Sequence, residues 1–218
     1  MNLDLITYGN PTQEQIRYIN TESYLDYLFK ELSTYTFPKN SSDATREELN
    51  DIVDFLKVLD IKENQDQYLP RYRSLDANLG KFFKQGLIKS GKDEQEITTL
   101  VDNILTDTKP LLFKLKFHFQ RPRPFQLAEY YKLKLFPYNS HSDKSPSFPS
   151  GHAFEGRILT EVIGNTYPNL YAFMDTLFQD ICYSRVYLGL HYQSDIDVGI
   201  FCADKVLECK EFRMKYKL

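Results

Sequence analysis

The residues best suited to chemistry lie near the carboxyl end of the chain, in SRVYLGLHYQSD, which runs from Ser184 to Asp195. His191 and Asp195 stand four residues apart, so they share one face if the segment is helical. A carboxylate bound to one imidazole nitrogen fixes the tautomer and leaves the other nitrogen as a nucleophile. Arg185 offers a planar fork that suits the oxygens of a phosphate. The segment predicts attack by a histidine on an anionic group, although a surface His–Asp pair beside an unrelated arginine would fit the same letters.

A second motif, PSGH, spans Pro149 to His152, and a helical pattern follows it. Ser150 then occupies the N-cap, where free backbone N–H groups and the positive end of the helix dipole favour an anion. Gly151 allows the backbone to approach that anion closely, and His152 stands beside it. By itself the motif fits an ordinary serine N-cap with a surface histidine equally well.

A third motif, KFHFQRPRPF, places a lysine and an arginine seven residues apart, which is two helical turns. Lys116 and Arg123 have this offset, and so do Lys114 and Arg121, so the spacing leaves the register open. We expect the helix to end at Pro124. Two cations on one face could clamp one anion, but the motif by itself fits a solvated basic face better.

Together the motifs supply three cations, backbone donors at a helix start and two histidines. Transfer of a phosphoryl group without a metal needs such a set, because the charge on the equatorial oxygens must be neutralised. One group must also attack while another protonates the leaving oxygen. The sequence therefore predicts phosphoryl chemistry in which no metal or other cofactor takes part.

The three motifs, in this order, resemble the signature of the phosphatidic acid phosphatase type 2 superfamily, which also includes vanadium haloperoxidases. SRVYLGLHYQSDIDVG and QRPRPF are most similar to soluble class A non-specific acid phosphatases, and the resemblance covers about Lys116 to Gly199. It implies that His191 is the nucleophile, that Asp195 orients it, and that His152 is the general acid that later activates water. It also implies a phosphate site formed by Lys116, Arg123, Ser150, Gly151 and Arg185.

The resemblance also selects a register for the third motif. Class A phosphatases place a phenylalanine after the proline and another arginine two residues before the active one. Phe125 and Arg121 fit this pattern if Arg123 is the phosphate ligand. We therefore expect Lys114 and Arg121 to be flanking charges that only raise the local potential.

As to function, the resemblance implies an acid phosphatase-like phosphoric monoester hydrolase. It would hydrolyse phosphomonoesters, or related phosphoanhydrides, through a metal-independent phosphohistidine intermediate. The alternative is a vanadate-dependent haloperoxidase, because vanadate mimics the phosphoryl transition state and should bind the same residues. The short chain favours the phosphatase, with vanadate as an inhibitor. A metal site on His191 and Asp195 would need more ligands, and a non-catalytic phosphate-binding module would not need both histidines.

Helical periodicity dominates the segments that must position these groups. Apolar stripes predict four helices, over Ile16 to Leu32, Leu49 to Leu59, Ile97 to Leu105 and Leu170 to Ile181. Thr45 and Glu48 form a possible capping box for the second of them. Gly164 is expected to close the helix that follows PSGH. Only the segment from Tyr131 to Tyr138 has the pattern of an extended strand.

This pattern predicts one all-α helical bundle of the superfamily's type over residues 1–218. Residues 1–90 would form N-terminal helices without a recognised motif, and residues 91–218 the catalytic core. Between the motifs, the five prolines of residues 121–149 predict a long irregular loop.

Composition restricts the partners. The chain has 218 residues and a formal net charge of -3, whereas a nucleic-acid binder usually carries a strong basic excess. Cys182, Cys202 and Cys209 are too few and too irregular for a disulfide framework. No run reaches the roughly 18 apolar residues that span a bilayer, and no signal peptide is visible. We expect a small phosphorylated substrate, no nucleic acid, no transmembrane segment and a cytoplasmic or otherwise soluble, non-secreted location. The oligomeric state stays open.

Overall fold

The computed structural model describes residues 2–218, and within them it contains helices and connecting loops but no β-strand. The prediction of an all-α fold is confirmed. The α-helices are α1 (Gln13–Asn20), α2 (Asp26–Leu32), α3 (Asp43–Leu59), α4 (Lys62–Ala77), α5 (Leu79–Lys89), α6 (Glu94–Phe119), α7 (Pro124–Ala128), α8 (Gly151–Thr166), α9 (Tyr171–Tyr187), α10 (Gln193–Glu208) and α11 (Lys210–Tyr216). Short 3₁₀ turns occur at Leu3–Leu5, Glu129–Tyr131 and Pro168–Leu170.

The centre of the fold is formed by α6, α8, α9 and α10. Helix α8 packs against both α9 and α10, and α6 lies against α8. Apolar side chains of these helices share one large core cluster with those of α2, α4, α5 and α11. A smaller cluster joins α3 and α7 to the starts of α8 and α10. The ends of the central helices carry most of the predicted site residues, namely Lys116 on α6, Gly151 and His152 on α8, Arg185 on α9 and Asp195 on α10.

Gly199 lets α10 approach the start of α8 closely. A Cβ atom built on Gly199 would lie 2.7 Å from the Ser150 carbonyl oxygen and 3.2 Å from the Ala153 Cβ. Since contacts this short would force the helices apart, the glycine fixes where α8 begins relative to α10.

Gly164 does not end α8, contrary to the prediction. It lies buried inside the helix, which continues to Thr166 and is capped by Tyr167. A Cβ atom at Gly164 would meet the Tyr171 ring. The glycine therefore makes room for a side chain of α9.

The long helix α6 ends before the second cation of its motif. Gln120 caps it in the left-handed conformation with φ of 56°, and its N–H donates to the Lys116 carbonyl. Pro122 follows, and a proline disfavours helical backbone at the residue before it. The prediction that the helix continues to Pro124 is therefore wrong, and Arg123 is instead the N-cap of α7.

The predicted first helix is divided into α1 and α2. Between them the Ser23 N–H donates to Asp26 Oδ2, and the Leu25 N–H donates to Ser23 Oγ. These local side-chain bonds compete with helical ones, as is typical of Ser and Asp. The apolar stripe continues across the break, since Leu25, Leu28 and Leu32 are all buried.

Helix α3 begins earlier than predicted. Ser42 is its N-cap and its Oγ accepts the Thr45 N–H, so the expected capping box between Thr45 and Glu48 does not form. Glu48 turns toward the interior instead. The predicted stripe is confirmed, because Leu49, Ile52, Leu56 and Leu59 are buried.

The predicted strand from Tyr131 to Tyr138 does not exist. Tyr131 ends a 3₁₀ turn, and Lys132 has a positive φ of 58°, which breaks an extended run. Among the described residues no second strand is present to pair with it. The segment from residue 121 to residue 149 is therefore irregular except for α7 and one 3₁₀ turn.

Candidate active site

The three sequence motifs converge on one cavity of about 230 Å³. Of the predicted site residues, those that line it are Lys116, Arg123, Gly151, His152 and His191. The other three, Ser150, Arg185 and Asp195, are fully buried beside it. The structure thus brings all the predicted site residues together, whereas their chemical roles stay predictions.

His191 and Asp195 form a buried hydrogen-bonded pair. His191 Nδ1 lies 3.1 Å from Asp195 Oδ2, which also accepts the Tyr192 N–H at 3.1 Å. His191 is not on the helix, contrary to the prediction, because α10 starts two residues later and Asp195 lies in its first turn. Since Nδ1 faces a carboxylate, it carries the proton, and Nε2 keeps its lone pair.

Arg123 meets that lone pair. Its Nη1 lies 2.8 Å from His191 Nε2 and 2.9 Å from the Leu190 carbonyl oxygen. Its Nε and Nη2 donate to the carbonyl oxygens of Ser145 and Ser142. Burial first, and then the nearby charges of Arg123 and other cations, hold the pKa of His191 well below its ordinary value. His191 is therefore neutral.

The two overlapping lysine–arginine pairs have separate surroundings. Lys116 is buried and its Nζ donates to the Pro146 carbonyl oxygen at 2.7 Å. Lys114 points away from the cavity and pairs with Asp26 at 2.7 Å. Among these cations, the cavity is therefore lined by Lys116 and Arg123, the register that the resemblance selects.

Arg121 is not a solvated flanking charge, and that expectation is wrong. The side chain is fully buried behind His191. It donates to Asp195 Oδ1 at 2.7 Å and to Glu48 Oε2 at 3.0 Å. A buried ion pair is weakly screened, so Arg121 acts on the site at short range.

His152 occupies the first turn of α8 beside the cavity. Its Nε2 is buried and has no hydrogen-bond partner among the described residues. Burial first, and then the positive charge of Arg185, lower the pKa of His152 to about 3. An unpaired imidazole nitrogen at a cavity wall is available to a ligand.

Ser150 is the N-cap of α8, as predicted. Its own N–H donates to the Asp195 carbonyl oxygen at 2.8 Å, which ties the start of α8 to α10. The first N–H groups of a helix have no intrahelical partner, so those of Gly151 and His152 can donate hydrogen bonds to an anion.

Asp76 is a site residue that the sequence analysis missed. This buried carboxylate of α4 accepts Arg185 Nη1 at 2.8 Å, Ser140 Oγ at 2.9 Å and the His141 N–H at 2.7 Å. Burial alone would raise its pKa, but the charge of Arg185 and the hydrogen bonds from Ser142, Arg185 and the His141 N–H hold the pKa of Asp76 well below its usual range. Asp76 thus fixes Arg185 and the loop beside the cavity. No local pattern distinguishes it from a surface aspartate.

The charges of the site do not balance. Arg121 and Arg185 each contact a carboxylate, whereas Lys116 and Arg123 contact only carbonyl oxygens and His191 in the part of the chain that the structure describes. Burial, followed by the charge of Arg123, lowers the pKa of Lys116 well below its ordinary value. Glu155 also lines the cavity, but burial raises its pKa to about 7, so it is neutral in acid. The cavity is therefore suited to an anion.

The chain is similar to known proteins in the segment that contains the three motifs. The chain matches the PAP2 superfamily over residues 97–203. The non-specific acid phosphatase of Salmonella typhimurium is 30% identical over 109 residues, which are 50% of this chain and 43% of that protein. The chain thus spans less than half the length of this relative. Within residues 2–218, no three His, Cys, Asp or Glu side chains cluster as metal ligands would.

A solved structure shares the fold. A transmembrane PAP2 type phosphatidylglycerolphosphate phosphatase from Bacillus subtilis matches with a TM-score of 0.54 and 21% identity, over 88% of this chain and 94% of that chain. This likeness corrects the prediction about partners. That prediction gave the chain a small phosphorylated substrate and no transmembrane segment. That prediction is wrong because the same helical architecture occurs in a membrane protein. The residues of the site therefore do not determine whether the fold around them is embedded in a membrane. In residues 2–218 no helix is long and apolar enough to cross a membrane.

Proposed function

We propose that this chain, whose residues 97–203 match the PAP2 superfamily, is a phosphatase. It hydrolyses phosphomonoesters, or related phosphoanhydrides, through a phosphohistidine intermediate and without a metal. One observation carries the proposal: Lys116 and Arg123 are buried cations that face His191 without a carboxylate partner among the described residues. A phosphate dianion supplies the missing negative charge and lies next to a neutral imidazole nitrogen.

The first step forms the intermediate. The phosphoryl oxygens accept hydrogen bonds from the side chains of Lys116, Arg123 and Arg185 and from the backbone N–H of Gly151. Arg123 then gives up its contact with His191 Nε2, whose lone pair attacks phosphorus. The P–O bond to the leaving group breaks as the P–N bond forms. Asp195 stabilises the positive charge that His191 gains.

His152 acts as general acid and then as general base on the side of phosphorus opposite His191. It donates a proton to the leaving oxygen, then takes one from a water molecule whose oxygen attacks phosphorus. The P–N bond breaks in this step, so that His191 Nε2 regains its lone pair and inorganic phosphate leaves. His152 Nε2 needs no rearrangement for this, because no other group of the described residues occupies it. A bound phosphate dianion offsets the cations that lower the pKa of His152, so substrate binding favours its protonated form.

The surroundings of His191 support metal independence. A metal ligand needs a free imidazole lone pair, and Nδ1 already faces Asp195. The other nitrogen, Nε2, lies 2.8 Å from the Arg123 guanidinium, whose positive charge repels a metal cation. The cations of the site thus take the part that a metal would play in stabilising the phosphoryl group.

The proposal is tested by trapping the intermediate. Purified protein is mixed with ³²P-labelled p-nitrophenyl phosphate, quenched within milliseconds and examined for acid-labile, base-stable phosphoprotein, with and without EDTA. We expect labelled protein in both conditions. His191→Ala should abolish the label, and His118→Ala, an exposed histidine outside the cavity, serves as the matched control.

Two results would contradict the proposal. Hydrolysis that stops with EDTA and returns with a divalent metal would refute metal independence. Label that persists in His191→Ala at the wild-type level would refute the nucleophile.

A further inference from the structure

The buried Arg121 links two carboxylates behind the cavity. Its Nη1 donates to Asp195 Oδ1 at 2.7 Å and to Ser194 Oγ at 2.8 Å. Its Nη2 donates to Glu48 Oε2 at 3.0 Å, and Glu48 Oε1 accepts the Ser194 N–H at 2.8 Å. Arg121 does not line the cavity, and both of its terminal nitrogens already donate to Asp195, Ser194 and Glu48.

The two oxygens of Asp195 have separate tasks. Oδ1 accepts Arg121, whereas Oδ2 accepts His191 Nδ1 and the Tyr192 N–H. An unbroken chain of contacts therefore leads from Glu48 through Arg121 and Asp195 to His191. Each oxygen of the carboxylate is held, so the plane of the group is fixed.

Two aromatic rings enclose the guanidinium. Its Cζ lies 3.8 Å from the centre of the Tyr192 ring and 5.1 Å from that of Phe37. Burial acts to lower the pKa of Arg121, but the charges of Asp195 and Glu48 outweigh burial and raise it. Arg121 is therefore a permanent cation, and its attraction for Asp195 is strong because both side chains are fully buried.

We propose that Arg121, anchored by Glu48, is a positioning residue that holds Asp195 so that His191 keeps its proton on Nδ1 and its lone pair on Nε2. Without Arg121, a buried carboxylate would lack its counter-charge and would bind a proton or rotate. Asp195 would then no longer stabilise the tautomer that is protonated on Nδ1, and His191 would populate both tautomers. The effect on turnover rests on the proposed phosphatase function, but the tautomer of His191 does not.

Two measurements test the proposal on Arg121→Met, Arg121→Lys and Glu48→Gln. Nitrogen chemical shifts of ¹⁵N-histidine-labelled protein report the tautomer of His191, whose signals are assigned by their loss in His191→Ala. Steady-state kinetics with p-nitrophenyl phosphate separate kcat from KM. Glu47→Gln, an exposed neighbour on the same helix, is the matched control.

We expect wild-type protein and Glu47→Gln to show one tautomer, protonated on Nδ1. Arg121→Met should show both tautomers and a kcat lowered roughly 10- to 100-fold, as for other groups that orient a reactive histidine. KM should change little, since the cations that line the cavity remain. Arg121→Lys should regain part of the loss because it restores a charge. Glu48→Gln should show a smaller effect of the same kind.

The outcomes distinguish this proposal from the proposed function. If wild-type protein hydrolyses no phosphomonoester, the phosphatase proposal fails while the nitrogen spectra still test the role of Arg121. If Arg121→Met fails to fold, Arg121→Lys and Glu48→Gln decide the question. A single unchanged tautomer in the folded Arg121 and Glu48 variants would overturn the positioning role. So would a raised KM with an unchanged kcat.

Discussion

Two lysines on one helix offer a sharp test of the site. Lys116 is buried at the cavity and lacks a carboxylate partner among the described residues, whereas Lys114 forms a partly exposed pair with Asp26. Methionine has a similar length and no charge, so Lys116→Met and Lys114→Met remove the same group two residues apart. We expect Lys116→Met to lose most of its activity and Lys114→Met to keep it.

The magnitudes follow from burial. A preorganised donor that contacts the transition state contributes about 3–4 kcal/mol, so Lys116→Met should lower kcat/KM roughly 100- to 1000-fold. A partly exposed ion pair contributes about 1 kcal/mol or less to stability, and Lys114 does not reach the cavity. Lys114→Met should therefore change kcat/KM less than about threefold.

The assay is hydrolysis of p-nitrophenyl phosphate at low and high salt, with Tm as the control for folding. Any effect of Lys114→Met should fade as salt screens it, while the loss in Lys116→Met should persist. Replacement of a buried, unpaired cation by an apolar side chain is often neutral for stability, so the Tm of Lys116→Met should stay within a few degrees of the wild type. If Lys114→Met is the inactive variant at high salt, the assignment of the register is refuted.

Further outcomes follow from the same geometry. In His152→Ala, phosphorylation by p-nitrophenyl phosphate should persist, while an alkyl phosphate should react at least about 100-fold more slowly, because a poor leaving group needs protonation; equal rapid-quench losses with both would contradict this. Activity should peak on the acidic side of neutral. Burial and nearby cations lower the pKa of His152 to about 3, and a bound dianion raises this pKa. Because kcat reports the enzyme with substrate bound, kcat should decline at higher pH than kcat/KM. Coincident pH profiles would count against a link between substrate binding and protonation of His152. Asp76→Asn should raise the Ki for phosphate roughly tenfold, because Arg185 loses a charged hydrogen-bond partner; an unchanged Ki would show that Asp76 does not position Arg185. Vanadate should inhibit at about micromolar concentration as a transition-state mimic, and vanadate-loaded protein should not brominate a phenol dye with peroxide; rapid bromination would favour a haloperoxidase.

Local patterns predict the parts of the site that depend on neighbours in sequence. The Ser150 N-cap follows from a serine and a glycine before an apolar helical stripe, and the structure has it there. The pairing of His191 with Asp195 was predicted from their spacing, although for the wrong reason. The pair forms at a helix start, where Asp195 also accepts the Tyr192 N–H, and not along one helix face.

The carboxylates that hold the arginines could not be predicted from the sequence. Asp76 contacts Arg185 across 109 residues of chain, and Glu48 contacts Arg121 across 73. Nothing in the local sequence marks either acid, since Asp and Glu on helices are usually solvated. Glu48 even fits a capping box with Thr45, and only the packing of α3 against the site turns it inward.

These carboxylates explain how one small interior holds four cations. Glu48 and Asp195 offset Arg121, and Asp76 offsets Arg185, so these arginines are held whether or not a ligand is bound. Lys116 and Arg123 remain as an excess of positive charge, and burial lowers the pKa of both. A dianion that enters the cavity opposes this effect and raises the pKa of Lys116 toward its ordinary value. It also favours protonation of His152, because the field that opposed this proton is cancelled. In the proposed mechanism, binding of the phosphoryl group and protonation of His152 are therefore linked, so His152 would become competent as an acid when there is a leaving group to protonate.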